Sequence, residues 1–253
     1  MAARKWTRWQ AAGVHLGICV AIAASVVTLM LALWYPRPLF EAVGGLDLLF
    51  IVLAVDVTVG PMLTLIVFKS GKPGLKLDLM VIGLLQASAL AYGVNVVALA
   101  RPAFVVFVKD RFEVVTVAEL AAEELAAARY PAFRAPPWGG PMLAASDMPT
   151  DPAESQKLVR AAAAGLDVQN FPRYYVPYAA RTKEVLAAAQ TVARYRATEP
   201  GSAKAVDAWL AESGTPEDAV RCLELRTRFA WVVVLVDPVT AKPVKMLLGE
   251  RIG

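Results

Sequence analysis

The sequence predicts an integral membrane protein: three transmembrane α-helices, then a soluble α+β domain of antiparallel hairpins and helices. Three observations carry this. Of 253 residues, 57% are hydrophobic, above the ~45–50% of an ordinary soluble domain. The excess is concentrated in three runs, at about 13–35, 46–68 and 79–100. All but Arg37 of the lysines and arginines in the first hundred residues fall in alternate connections, before the first run and between the second and third.

Each run holds ~20 residues or more, which at ~1.5 Å per residue spans a ~30 Å hydrocarbon core. The first follows Arg4, Lys5 and Arg8 and contains Ala21-Ile22-Ala23, a signal-peptidase-like site. Its apolar residues continue through Leu33, past the ~7–15 residues of a cleaved segment, so it reads as an uncleaved span. Lys69, Lys72 and Lys76 lie between the second and third runs, whereas Arg37 and Glu41 offset one another between the first and second. Positive charge stays on the cytoplasmic side. The N-terminus is therefore expected in the cytoplasm, and residues 101–253 beyond a bacterial inner membrane, in the periplasm.

The formal charge of +4 does not point to nucleic acid, because residues 101–253 hold 19 Lys+Arg against 18 Asp+Glu with no basic cluster. Cys19 lies in the first span and Cys222 in the outer domain, so no intrachain disulfide is expected. Cys222, between Val220 and Leu223, reads as a small buried apolar residue.

In the outer domain AFVVFV (103–108) and RFEVVTV (111–117) flank Lys109-Asp110, a hairpin signal. Residues 117–130 have helical spacing, and 131–152 are rich in Pro and Gly and read as a loop. Asp151 as N-cap with Pro152 at the first position starts a helix to about Ala164. NFPRYYVPY (170–178) is irregular or extended; 180–195 and 203–213 are helices; 221–225 is ambiguous. FAWVVVLV and PVKMLL close the chain as a second hairpin. The expected arrangement is one antiparallel sheet with helices on one face.

The chain's single histidine, His15, is in the first span. The outer domain thus lacks Ser-His-Asp and Cys-His nucleophile sets and the common zinc ligand sets. No phosphate-loop or dinucleotide motif is present. Glu123-Glu124 and Glu217-Asp218 read as solvated faces. No catalytic residue, cofactor or metal is expected, and the protein is read as a non-enzyme.

The polar residues inside the spans are more informative. Asp56, Gly60 and Thr64 share a face of the second helix. An acid at that depth costs ~2.5–3.5 kcal/mol on insertion scales and calls for a partner. Gly60 permits close helix approach, and Pro61 leaves the Val57 carbonyl without its helical donor, so a kink is expected. Ser88, Tyr92 and Asn95 form a stripe on the third helix, with Ser88 and Tyr92 nearest Asp56 in depth, while Gln86 points toward the first helix. His15 and Asp78 lie near the cytoplasmic boundary as a candidate pair, Asp78 also being a candidate N-cap. Either these groups join the three helices or Asp56 is kept for an incoming transmembrane segment. Outside the bilayer, Trp138 in PAFRAPPWGGP and Tyr174, Tyr175 and Tyr178 in NFPRYYVPY are candidate partner contacts, with a plain connection or core packing as the other readings.

RWQAAGVHL, LWYPRPLFEAVGG, DVTVGPMLTLIVF and LKLDLMVIGLLQASALAYG, followed by RPAFVVFVKDRFEVV, resemble the TfpX/TfpZ family of type IV pilin accessory proteins. NFPRYYVPY and WVVVLVDPVTAKPV are similar in position and type, and 131–165 has no match. The resemblance implies an inner-membrane accessory protein or chaperone that promotes the presence or assembly of a cognate type IV pilin. The pilin's membrane helix would meet the face around Asp56 and Ser88-Tyr92-Asn95, and its head the outer domain. Self-association is left open. A membrane-anchored periplasmic sensing or signalling component acting through a partner is the alternative.

Overall fold

The computed structural model describes residues 6–227 and 229–251, without the side chains of 46–49, 51–56, 250 and 251. Four helices come first: α1 (Arg8–Leu33), the single turn α2 (Leu39–Ala42), α3 (Gly45–Val67) and α4 (Leu75–Ala100). The chain divides into two units, Met1–Ala32 with Gly45–Leu99, and Leu33–Gly44 with Ala100–Gly253.

In the first unit, α1 and α4 each have 26 residues and are long and apolar enough to cross a membrane. The helix α3 has 23 residues and runs unbroken through Pro61; its described apolar stretch is Val57–Val67.

The second unit is built on a seven-stranded sheet in the order β4-β3-β1-β2-β5-β6-β7. Its strands are β1 (Pro102–Val108), β2 (Arg111–Thr116), β3 (Met142–Ser146), β4 (Tyr175–Pro177), β5 (Arg221–Arg226), β6 (Ala230–Val236) and β7 (Pro243–Arg251). Around it lie α5 (Ala122–Ala126), α6 (Pro152–Ala163), α7 (Thr182–Ala188), α8 (Val192–Thr198) and α9 (Pro200–Ser213). Both hairpins form as expected, the first turning through Lys109 at φ +56°. The Asp151 carboxylate accepts from the Ala153 N–H and caps α6.

The sheet is mixed, not antiparallel. Strands β1 and β3 run parallel, as do β2 and β5 through Phe112↔Leu225 and Glu113↔Arg226. The two hairpins are joined by a long crossover, which lets β5 return parallel to β2. Helices cover both faces, not one. Val105, Phe107, Leu225 and Val234 pack with Leu39, Ala42 and Val185 on one side. On the other, Phe104, Val106 and Val115 pack with Leu158, and Cys222, Val233 and Leu235 with Tyr195 and Val206. All seven residues of β1 are buried, so a strand apolar at both parities needs cover on both sides.

Three local expectations also change. The 117–130 helix is reduced to a capped single turn at 117–119 and the five-residue α5, because Ala128 and Phe133 drop into the core. The Pro/Gly loop contains β3, whose small Ala144 and Ala145 are fully buried beside β1. The 180–195 helix breaks between α7 and α8, where Gln190 exchanges backbone hydrogen bonds of 2.8 and 2.9 Å with Cys222.

Segment 33–44, which joins the first two apolar runs, is part of this core. Tyr35, Leu39 and Ala42 are essentially inaccessible. The Thr227 hydroxyl donates to the Ala42 carbonyl at 2.7 Å. Gly44 has φ +76°, and a Cβ there would lie 2.8 Å from the Phe229 ring, so glycine is required on both counts.

Candidate functional site

Among the described residues of the helical unit, His15–Thr64 and Gln86–Cys19 are polar contacts that cross between helices. His15 Nδ1 lies 2.5 Å from Thr64 Oγ1, joining α1 to α3. The Thr64 side chain is buried. The Gln86 amide donates to Cys19 Sγ at 3.4 Å, joining α4 to α1, the direction expected for Gln86. The same amide fills the notch at Gly60: a Cβ there would come within 2.0 Å of Gln86 Nε2. Gly60 therefore serves close approach, with Gln86 as the neighbour. Pro61 is buried beside it. The Asp56 side chain lies outside the described residues.

His15 and Asp78 are not brought together. Asp78 takes Lys72 Nζ at 2.6 Å and sits in the first turn of α4, where its charge complements the helix dipole. The Ser88-Tyr92-Asn95 stripe does not join the Gly60-Pro61-Thr64 face either. All three residues are exposed, and Ser88 Oγ donates to its own helix at the Leu84 carbonyl, 2.8 Å away. The inward face of α4 is instead Ile82, Gly93 and Val97.

In the sheet unit the three tyrosines are bracing groups. Tyr175 is fully buried, edge-on to Phe104 and Phe133, and its hydroxyl donates to the Gln169 carbonyl. The Tyr178 hydroxyl donates to the Ala241 carbonyl at 2.6 Å. The Tyr174 hydroxyl donates to Glu154 at 2.6 Å, and partial desolvation followed by that carboxylate pushes its pKa up to about 12. Glu124, expected on a solvated face, accepts both ends of the Arg173 fork at 2.5 Å. The Cys222 thiol is buried and pushed up to about 12 by desolvation, which leaves it unreactive. Among the described residues, no three His, Cys, Asp or Glu side chains converge as a metal site.

Trp138 alone of the four aromatic candidates is open to its surroundings, at 80% exposure. Its ring stands edge-on to Trp34, with centroids 6.4 Å apart. The Arg101 guanidinium lies 5.5 Å from the Trp34 centroid and 5.9 Å from that of Trp138. Arg101 Nη2 donates to the Pro137 carbonyl at 3.2 Å. Sequence reading missed Trp34 and Arg101, although each stands at the end of an apolar run.

The profile of the fimbrial assembly protein FimB matches residues 3–44. The chain is 32% identical over 185 residues to the fimbrial assembly protein of serogroup I from Dichelobacter nodosus, covering 72% of this chain and 71% of that protein. The chain belongs to the fimbrial assembly protein family. The serogroup E1 protein of the same organism is 31% identical over the same share of this chain, 72%, and 71% of its own. The protein of serogroups C1 and C2 is 34% identical over 116 residues, 45% of this chain and 88% of that relative. No solved structure matches. In this family member the profile match covers α1 and the segment 33–44, whose Leu39 and Ala42 enter the sheet core.

Proposed function

We propose that this fimbrial assembly protein is an inner-membrane accessory protein of the TfpX/TfpZ kind, which promotes the stability or assembly of a cognate type IV pilin by contact and not by catalysis. The observation that carries the reading is its 32% identity, over most of its length, to a fimbrial assembly protein. In this reading α1, α3 and α4 all cross the bilayer; the 23 residues of α3 are enough at ~1.5 Å each. The N-terminus is cytoplasmic and the sheet unit periplasmic, as the placement of Arg4, Lys5, Arg8, Lys69, Lys72 and Lys76 supports. The outward stripe of Ser88, Tyr92 and Asn95 on α4 is the surface offered to the pilin's membrane helix, because polar side chains there gain from a protein neighbour. The sheet unit is left for the pilin head.

The test is to delete the gene, restore it in trans, and follow pilin level and co-purification from membranes in mild detergent. Loss of pilin with recovery on complementation, and pilin in the eluate, is expected. Unchanged pilin with nothing co-purifying overturns the proposal. A reporter after Gly253 that is active in the cytosol overturns the orientation.

A further inference from the structure

Trp138 is exposed but held in place. Its loop runs Pro136-Pro137-Trp138-Gly139-Gly140-Pro141. The Arg101 cation, itself buried, lies against the rings of Trp34 and Trp138 and bonds the loop at Pro137. A Cβ built on Gly140 would lie 3.7 Å from the Pro36 ring, and one on Gly139 would lie 3.8 Å from the Leu33 carbonyl oxygen, so the loop runs close to segment 33–36. A loop held by a cation that lies beside both aromatic rings and bonds the Pro137 carbonyl presents its indole at a set height.

What sets that height is where the partners sit in the chain. Leu33 is the last residue of α1, and Arg101 directly follows the last residue of α4. Trp34 and Arg101 therefore mark two points at which the chain passes into an apolar helix, and Trp138 is tied to both. Indoles favour this boundary, since the ring is apolar and the N–H needs a polar acceptor.

We propose that Trp138 is a bilayer-interface anchor: the 136–141 loop lies in the phospholipid headgroup layer, with the indole at the acyl boundary and Arg101 and Trp34 fixing its depth. This rests on the reading that α1 and α4 cross the membrane. The occupant is lipid, because the indole is tied to both helix exits, and headgroups are what surround such exits. The anchor holds the sheet unit to the membrane surface at a point additional to its three chain connections, at 32–33, 44–45 and 99–100.

The experiment uses full-length protein in phosphatidylethanolamine–phosphatidylglycerol vesicles. A fluorophore is attached in turn to Trp138→Cys, Gly139→Cys, Leu84→Cys and Val239→Cys, with unsubstituted protein as the labelling blank for buried Cys19 and Cys222. Quenching is compared between phospholipids spin-labelled at the headgroup and at mid-chain. Gly139→Cys keeps the tryptophan, so a loop disturbed by Trp138→Cys is recognised. The expected result is that 138 and 139 lose most of their emission to the headgroup label. Position 84, exposed within α4, loses it to the mid-chain label, and 239, exposed in the β6–β7 turn, loses none. If 84 is quenched by the deep label while 138 and 139 behave like 239, the anchor is wrong and the membrane helices stand. If 84 is not quenched either, the membrane reading fails and takes the anchor with it. If 138 and 139 are shielded only when pilin is added, the surface is a protein contact and the lipid proposal is overturned.

Discussion

The helical unit and the sheet unit put similar apolar residues to opposite use. In α1 and α4 only 17% of the most apolar stretch is buried; Leu84 and Leu85 of α4, and Ile66 of α3, are exposed. In β1 every residue is buried. The helical unit keeps His15–Thr64 and Gln86–Cys19 between its helices, while the sheet unit carries Arg181–Asp147 and Arg196–Asp207 on half-open surfaces. Apolar side chains face outward in one unit and inward in the other. An apolar surface of that size needs lipid or protein against it.

The largest effect that tests this contrast is in the sheet. Phe104 is fully buried between Phe133 and Tyr175, and Phe104→Ala should cost about 3–5 kcal/mol. Limited proteolysis of the detergent-purified protein should show the sheet unit cut faster while the α1 and α4 fragments stay protected in the micelle. Simultaneous loss of both would mean that the units do not fold independently. Next is Leu85→Arg, at an exposed apolar site in α4. At a helix centre in lipid it should cost ~2.5–3.5 kcal/mol, read as loss of carbonate-resistant membrane protein. Val239→Arg, at a still more open site in the sheet unit, should leave that fraction unchanged. If Leu85→Arg is also silent, α4 faces water and the contrast collapses. A smaller effect is expected at Gly60→Ala, where the new methyl meets Gln86. Overpacking should cost about 1–3 kcal/mol, and Gln86→Ala in the same chain should recover part of it, measured as thermal stability in detergent.

The features legible in the sequence are those whose causes are local. Run length gave α1, α3 and α4; Lys109-Asp110 gave the first hairpin; Asp151-Pro152 gave the start of α6. The features that escaped are set by partners far along the chain. The Ala42 carbonyl receives Thr227 from 185 residues away, so nothing near 33–44 marks it as core. The Gln190 break is made by Cys222, and β3 is a strand because β1 lies beside it, not because Ala144 and Ala145 favour one. At the candidate site, helical periodicity put Thr64 on Gly60's face, and both are buried, Thr64 against His15 and Gly60 against Gln86. It could not show that Ser88, Tyr92 and Asn95 point the other way, because a face is defined by its neighbours. Three tyrosines in nine residues have the same composition whether they anchor a partner or brace a core; only their hydroxyl partners separate the two.

The smallest effect is a pH dependence in the sheet unit, where a charge has entered the dry side. Glu113 is buried on β2. Desolvation raises its pKa, outweighing the lowering by Arg111, whose Nε is 2.7 Å away, and by Arg226; Asp167 raises it further. The folded state therefore holds this proton more tightly than the unfolded chain does. Its contribution to stability is fully present below the ordinary carboxylate pKa and is lost as pH rises through the elevated folded value. Glu113→Gln removes the titration while keeping an acceptor for Arg111. In the parent, the denaturation midpoint of the sheet unit should fall between about pH 4 and about pH 8 by more than in the variant, and the variant should be no less stable at the upper end. A variant that is less stable than the parent at neutral pH would mean that the Arg111 pair outweighs burial, making this carboxylate a stabilising part of the sheet.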